Sequence, residues 1–289
     1  MPDRDLLARV YETLEGYYEL GCEVRDEPLA RFVRNVDAPR IYDANFAAFV
    51  RAGTNDEIAS VLERADELFD GLPHRVFHID PWTPPAFEAQ LVLDGFEFED
   101  ELQLLLEGPL PPSQARAPAA PVGKAAVAAR DLDLAREPPA IDIRLVESDE
   151  DWSTVRRLTR LDHEEEARRE VHPLWDEEVT SEMVATKRAK APALRFWLAR
   201  ANGTDCAFLS SWPGANTVGK VEDLYTHPDF RQRGIGSALI VHCVRDVRER
   251  GAGPVLIGAL PNDTPMRMYA AMGFRPFCVT HRGRKVSGS

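Results

Sequence analysis

The sequence predicts a mixed α/β protein built from two halves with the same order of elements. Three observations carry this. Runs with apolar residues at every second position alternate along the chain with runs at helical spacing. The order helix, strand, helix, Gly-Phe and strand occurs twice, once through Gly95-Phe96 and again through Gly273-Phe274. Between the two lies a proline- and alanine-rich stretch, residues 109–140, whose composition favours an extended connection. A chain of 289 residues exceeds one typical domain, so domains at 1–108 and 141–289 are expected on either side of it.

In the first half, residues 3–14 place Leu6, Leu7, Val10 and Leu14 on one side of a helix. Short runs at 17–20 and 30–33 are expected as paired strands about a turn at Asp26-Glu27-Pro28, and 41–50 reads equally as strand or as strand plus turn. Thr54 with Glu57 three residues on forms a capping box. Ile58, Val61, Leu62, Ala65, Leu68 and Phe69 then give that helix its buried face, and Gly71 stops it. Residues 75–79 read as a strand, 84–93 as a helix ending at Asp94-Gly95-Phe96, and 97–106 as a strand.

The connection has room for a short helix near 124–130. After it, the alternation of Ile141, Ile143 and Leu145 marks a strand with one buried face. A helix starts at Asp149 or Asp151 and runs to about residue 169, and another covers 174–190. Strands at 195–200 and 206–212 are joined by the turn Asn202-Gly203-Thr204. A strand at 221–225, a glycine loop, a helix to residue 250, a strand at 255–260, a short helix and a final strand at 274–280 complete the chain.

Composition bounds the function. The net charge of −13 comes almost wholly from residues 1–110, which hold 24 acidic side chains against 9 basic ones. Nucleic acid is therefore a poor partner and none is expected, whereas a cationic ligand or simple solubility fits. The four cysteines are far apart and form no Cys-x-x-Cys, so buried thiols are expected and no metal site. No run is long and apolar enough to cross a membrane, and the N-terminus has no targeting pattern, so a cytoplasmic protein is expected. A homodimer is left open.

The functional stretch is 221–237. Val221 to Tyr225 alternate as a strand, His227-Pro228-Asp229 turn the chain, and Gly234 and Gly236 open an apolar helical run. A helix start behind glycines offers backbone N–H groups without partners, and those donors with the helix dipole favour a phosphate. A side chain at the glycines would keep a pyrophosphate off the backbone. Arg231 and Arg233 add positive charge at the mouth. Downstream, Asn262-Asp263-Thr264-Pro265 caps a short helix carrying Met266, Tyr269 and Met272.

Together these two stretches resemble the GNAT superfamily of acyl-CoA-dependent N-acetyltransferases over roughly residues 141–282. Arg231-Gln232-Arg233-Gly234-Ile235-Gly236 matches its pyrophosphate loop, and Asn262 through Tyr269 to Gly273-Phe274 its second cofactor motif. The resemblance implies a central, mostly antiparallel twisted sheet flanked by helices, with acetyl-CoA as acyl donor and a primary amine, of a small molecule, as acceptor. It implies that Ser237 and the loop hold the pyrophosphate, that the main chain of Leu224, Tyr225 and Thr226 pairs with the pantetheine arm, that Asn262 meets the cofactor, and that Tyr269 protonates the departing sulfur.

An ammonium with a pKa near 10 must lose a proton before it attacks, so a carboxylate base is wanted. Glu222 and Asp223 precede the loop. Neighbouring strand residues face opposite ways, so only one of them is expected at the thioester, with Glu222 favoured. The run Asp162 to Glu166 reads as a solvated helix face or an acceptor contact. His163 and His172 lack the spacing of a helical metal pair. Trp175, Trp197 and Trp212 read as core or pocket lining, and His242 and Cys243 as packing.

The first half resembles a degenerate copy: Gly71 to Gly95 spans 24 positions, and Gly251 to Gly273 spans 22. It offers Arg51-Ala52-Gly53-Thr54-Asn55 where the loop would be and no tyrosine near 89–92, which fits a structural role or one wall of an acceptor cleft. Two other readings stand beside a small-amine acetyltransferase: acetylation of protein N-termini or lysines, and a non-catalytic acyl-CoA-binding scaffold.

Overall fold

The computed structural model describes residues 3–111, 140–169, 174–259 and 265–286. Most of the proline- and alanine-rich connection, with the short helix expected near 124–130, lies outside them, as do His172 and Asn262.

In the first half, α1 (Arg4–Glu19) leads to a hairpin of β1 (Glu23–Glu27) and β2 (Ala30–Arg34). The run 17–20, expected as a strand, is instead the last turn of α1 and its cap. Val10, Tyr11, Leu14 and Tyr17 all bury on one face, so the helical period continues past Gly16, and burial of Tyr17 outweighs the strand preference of two tyrosines. A 3-10 turn at Tyr42–Ala44 precedes the short β3 (Phe46–Ala48). The helix α2 (Asn55–Leu68) carries the capping box of Thr54 and Glu57 and buries Ile58, Val61, Ala65 and Leu68. Then follow β4 (His74–Ile79), α3 (Pro85–Leu93) and β5 (Glu97–Leu106).

The second half runs β6 (Ile141–Leu145), α4 (Asp149–Arg168), α5 (Glu177–Ala189), β7 (Arg195–Ala201), β8 (Thr204–Trp212) and β9 (Gly219–Thr226). It closes with α6 (Ile235–Glu249), β10 (Val255–Ala259), α7 (Pro265–Ala271) and β11 (Arg275–Val286). Ser148 and Asp151 cap α4 reciprocally. On α6, Leu239, Ile240, Cys243, Val244 and Val247 are fully buried against the sheet, each of the aliphatic ones worth roughly 1.5–3 kcal/mol in transfer terms. All four cysteines are free thiols.

Among the described residues, the strands form one eleven-stranded sheet in the order β1-β2-β3-β4-β11-β5-β10-β9-β8-β7-β6. Among the described residues, only β3 with β4 and β9 with β10 run parallel; the other pairs are antiparallel. Each half lends its last strand to the other. β5 lies between β10 and β11, and β11 lies between β4 and β5. This explains why β11 continues past the expected end at residue 280: its last residues, His281 to Val286, pair with Ile79 to His74 of β4. Two large cores flank the shared sheet, one packed by α6 and one by α2 and α3.

Candidate active site

The parallel ladder between β9 and β10 ends where Val221 pairs with Ile257. Beyond that point Gly258 and Ala259 follow β5, pairing with Gln103 and Leu102, while β9 stays on β8. The two strands part, and a cleft of about 300 Å³ opens between them. Glu222, Asp223 and Leu224 form one wall and Ile257, Gly258 and Ala259 the other. Tyr269 of α7, Glu101 of β5 and Asp162, His163 and Glu166 of α4 also line it.

Both Glu222 and Asp223 line this cleft, although neighbouring residues of a regular strand would face opposite ways. The strand is not regular here. Its register against β8 shifts between Phe208 and Ser210, and Asp223 adopts a φ of 67°, so the alternation of side chains is broken by a bulge. The two carboxylates have different partners. Asp223 accepts from Tyr17 Oη at 2.7 Å, from Ser210 Oγ at 3.4 Å and from the Lys187 ammonium. Burial would raise its pKa, but Lys187, Tyr17 and Lys190 together hold it below the usual carboxylate range. It is a fixed negative charge. Glu222 pairs with Lys220, a lysine with no exposed surface, whose pKa is held up against burial by Glu222 and Glu101.

Sequence reasoning missed Glu101. It sits 2.9 Å from the Gln103 amide and faces Glu222 across the cleft floor. Burial first, then the charge of Glu222, push its pKa up to about 7. Nothing local could have marked it, because β5 belongs by sequence to the other half. Asp162 is also pushed up to about 7, by burial and then by Glu166 and Glu165. The run Asp162 to Glu166 is thus not a plain solvated face: Asp162, His163 and Glu166 line the cleft and Glu165 serves the loop. His163 is buried, 3.0 Å from Thr180 Oγ1, with its ring against Trp175, another cleft residue. Trp212 is core beside Tyr17.

Next to the cleft, the loop reaches α6. Gly234 caps the helix with a φ of 82° and no side-chain cap bond, and a Cβ there would meet nothing within 4 Å. Glycine is required by the left-handed backbone, not by crowding. Gln232 shares the left-handed region with a φ of 61°. Ile235 is buried and anchors the first turn, while Gly234 is exposed and Gly236 and Ser237 are partly so. The first N–H groups of the fifteen-residue α6, which have no intrahelical partners, therefore sit in a turn anchored by Ile235 and flanked by exposed or partly exposed residues.

Arg231 is not a free charge at that mouth. It makes two 2.6 Å bonds to Glu165 and a third, of 2.7 Å, to the Thr226 carbonyl, tying the loop to α4. Arg233 is exposed, its guanidinium 5.5 Å from the centre of the Phe230 ring, within cation–π range. Tyr225 is buried with its ring near Phe208, and Tyr269 is buried beside Phe274. Leu224 and Thr226 are partly exposed.

The counterpart terminus in the first half carries a capping box. The Glu57 carboxylate accepts the N–H groups of Gly53 and Thr54, both at 2.9 Å. This carboxylate sits just ahead of α2, at the positions that correspond to Arg233 and Gly234 before α6. Among the described residues, no group of three His, Cys, Asp or Glu could hold a metal, and no helix is long and apolar enough to cross a membrane.

Residues 152–274 match the model of the acetyltransferase (GNAT) family. Over 82 residues the chain is 32% identical to the tRNA(Met) cytidine acetyltransferase TmcA of Aeropyrum pernix, a match that spans 28% of this chain and 11% of that protein. Two solved structures share the fold over nearly the full length. The GCN5-related N-acetyltransferase from Kribbella flavida superposes with a TM-score of 0.62 at 15% identity, covering 99% of this chain and 95% of its own. A tandem GNAT protein from the clavulanic acid biosynthesis pathway gives 0.57 at 14% identity, covering 99% and 94%.

Proposed function

We propose, from the match of residues 152–274 to the GNAT acetyltransferase family model, that the chain is an N-acetyltransferase moving the acetyl group of acetyl-CoA to the primary amine of a small molecule. The observation that carries this reading is the cleft where β9 and β10 part, which brings carboxylates and Tyr269 together beside the open terminus of α6.

Each part has a physical task. The first turn of α6 donates backbone N–H groups to the pyrophosphate of the donor. The edge of Leu224, Tyr225 and Thr226 that β10 leaves without a ladder is where the pantetheine arm runs as an added strand. An amine acceptor arrives as an ammonium, and a cleft lined by Glu101, Asp162, Glu166, Glu222 and Asp223 attracts it. The lone pair left on nitrogen after deprotonation attacks the thioester carbonyl, the C–S bond breaks, and Tyr269 gives its phenol proton to the sulfur. Proximity supplies much of the rate, because a thioester is already reactive.

The test is turnover of acetyl-CoA against a panel of polyamines, amino sugars and amino-acid amines, read by release of free thiol. Thiol release that depends on a small amine supports the reading. Binding of acetyl-CoA with no turnover on any amine would instead favour a scaffold, and turnover only on peptide amines would move the acceptor to proteins.

A further inference from the structure

We propose that Glu101, carried by the first half of the chain, is the catalytic base of the site in the second half. This rests on the acetyltransferase reading above. Three geometric facts place it there. β5 is inserted between β10 and β11, so a residue from the first half stands in the wall of the second half's cleft. Glu101 and Glu222 converge from two strands on either side of β10 and both line that cleft. The space they share is kept by Gly258: a Cβ there would lie 3.0 Å from Glu101 Cδ, closer still to its Oε1, and 3.4 Å from Glu222 Oε2.

The three carboxylates nearest the parting strands divide by their partners. Asp223 is bound by Tyr17, Ser210 and Lys187, and Glu222 is paired with Lys220. Among the described residues, Glu101 has only the Gln103 amide as a hydrogen-bond donor to its carboxylate, a neutral group. A carboxylate matched to a cation gains little by taking a proton, whereas one beside a second carboxylate gains much. The groups facing Glu101 are Glu222 and Lys220 of β9, Arg282 of β11, Asp43 of the turn at Tyr42–Ala44, Tyr18 of α1 and Gln103 of its own strand. Burial and Glu222 outweigh the two cations and raise its pKa to about 7.

The protons balance. The ammonium carries three and the amide product one. One of the two lost goes to the Glu101 carboxylate before attack and on to solvent through the cleft. The second, shed by nitrogen in the tetrahedral adduct, restores the proton that Tyr269 gives to the departing sulfur.

The test uses the full chain and the best amine from the panel, with kcat/KM followed from pH 5.5 to 9 and acetyl-CoA affinity measured by calorimetry. Wild type is expected to gain activity with pH and level off above about 7. Glu101→Gln keeps the size and loses the charge: kcat falls about 100-fold or more, the limb that ends near 7 disappears as kcat/KM rises instead through the whole range with the free-amine fraction, and the acetyl-CoA Kd stays within about twofold. Asp162 also titrates near 7, so Asp162→Asn is the control in which the limb remains whatever the rate. Gly258→Ala covers the case in which Glu101→Gln does not fold, since the clash is with the flexible end of Glu101; kcat is expected to drop at least about tenfold with the acetyl-CoA Kd kept. Retention of the limb and of kcat within about twofold in the folded variants overturns the proposal while the function stands. A wild type that binds acetyl-CoA and acetylates no amine overturns the function, and this assignment with it.

Discussion

Tyr17, on the helix that opens the chain, donates a 2.7 Å hydrogen bond to Asp223, on the strand that leads into the glycine loop. The bond joins the two halves behind the cleft wall. Asp223 holds a left-handed backbone at the bulge, and Tyr17, Lys187 and Ser210 fix its carboxylate. Tyr17 also packs on Trp212 and lies 4.2 Å from the Lys190 ammonium. The first half thus builds part of the cleft wall as well as lending a strand.

Replacing Tyr17 by Phe removes one donor from a buried carboxylate and leaves the ring in place. The expected cost is about 1–3 kcal/mol of unfolding free energy, read from the urea midpoint at constant slope. A midpoint equal to that of wild type would mean that Lys187 and Ser210 satisfy Asp223 alone.

At the loop, Gly234→Ala and Gly234→Asp separate backbone strain from charge. Both force a side chain onto a φ of 82° with no contact to relieve it, a strain of roughly 1–2 kcal/mol. Only Asp adds a negative charge at the helix terminus. Calorimetry with acetyl-CoA is expected to show the Asp variant about tenfold or more weaker than the Ala variant. Equal affinities would remove the anion role of this terminus.

Tyr269→Phe keeps the buried ring beside Phe274 and deletes the phenol. Free-thiol release should fall by about 10²- to 10⁴-fold, the range for loss of a general acid, with acetyl-CoA affinity unchanged. A loss of less than about threefold would leave the ring as packing only.

Stability should fall in acid partly because of His74. It is 1% exposed, edge-on to Tyr42, and burial followed by the nearby Arg75 lowers its pKa from 6.5 to about 4. The folded state therefore binds its proton later than the unfolded chain does. Its contribution is complete above pH 6.5 and is lost as pH falls to about 4, a swing on the order of 3 kcal/mol. In His74→Phe the unfolding free energy between pH 7 and 4 should decline less steeply than in wild type. Parallel curves would place the acid sensitivity elsewhere.

Features written within a few residues of one another are legible from the order of amino acids alone. The Thr54–Glu57 capping box, the helix at Pro85–Leu93, the strand at Glu97–Leu106 and the strand, loop and helix around Gly234 form as expected, because caps, turns and periodicity depend on neighbours along the chain. Tyr17 and Tyr18 mislead for the opposite reason: their local preference is for strand, and packing on Trp212 and Phe46 puts them in a helix. The bulge at Asp223 is hidden because an irregular strand has the same residues as a regular one.

The element order, the glycine terminus of α6 and the place of Tyr269 on α7 are written in the residues themselves. Packing of the whole chain is what makes β5 and β11 trade places, brings Glu101 to Glu222 over Gly258 and pairs Arg231 with Glu165. The physical reason is that a strand's two-residue period records which face is buried and is silent about which strand lies alongside. Charge pairing across the sheet follows from that choice of neighbour, so it exists only once the whole chain has folded.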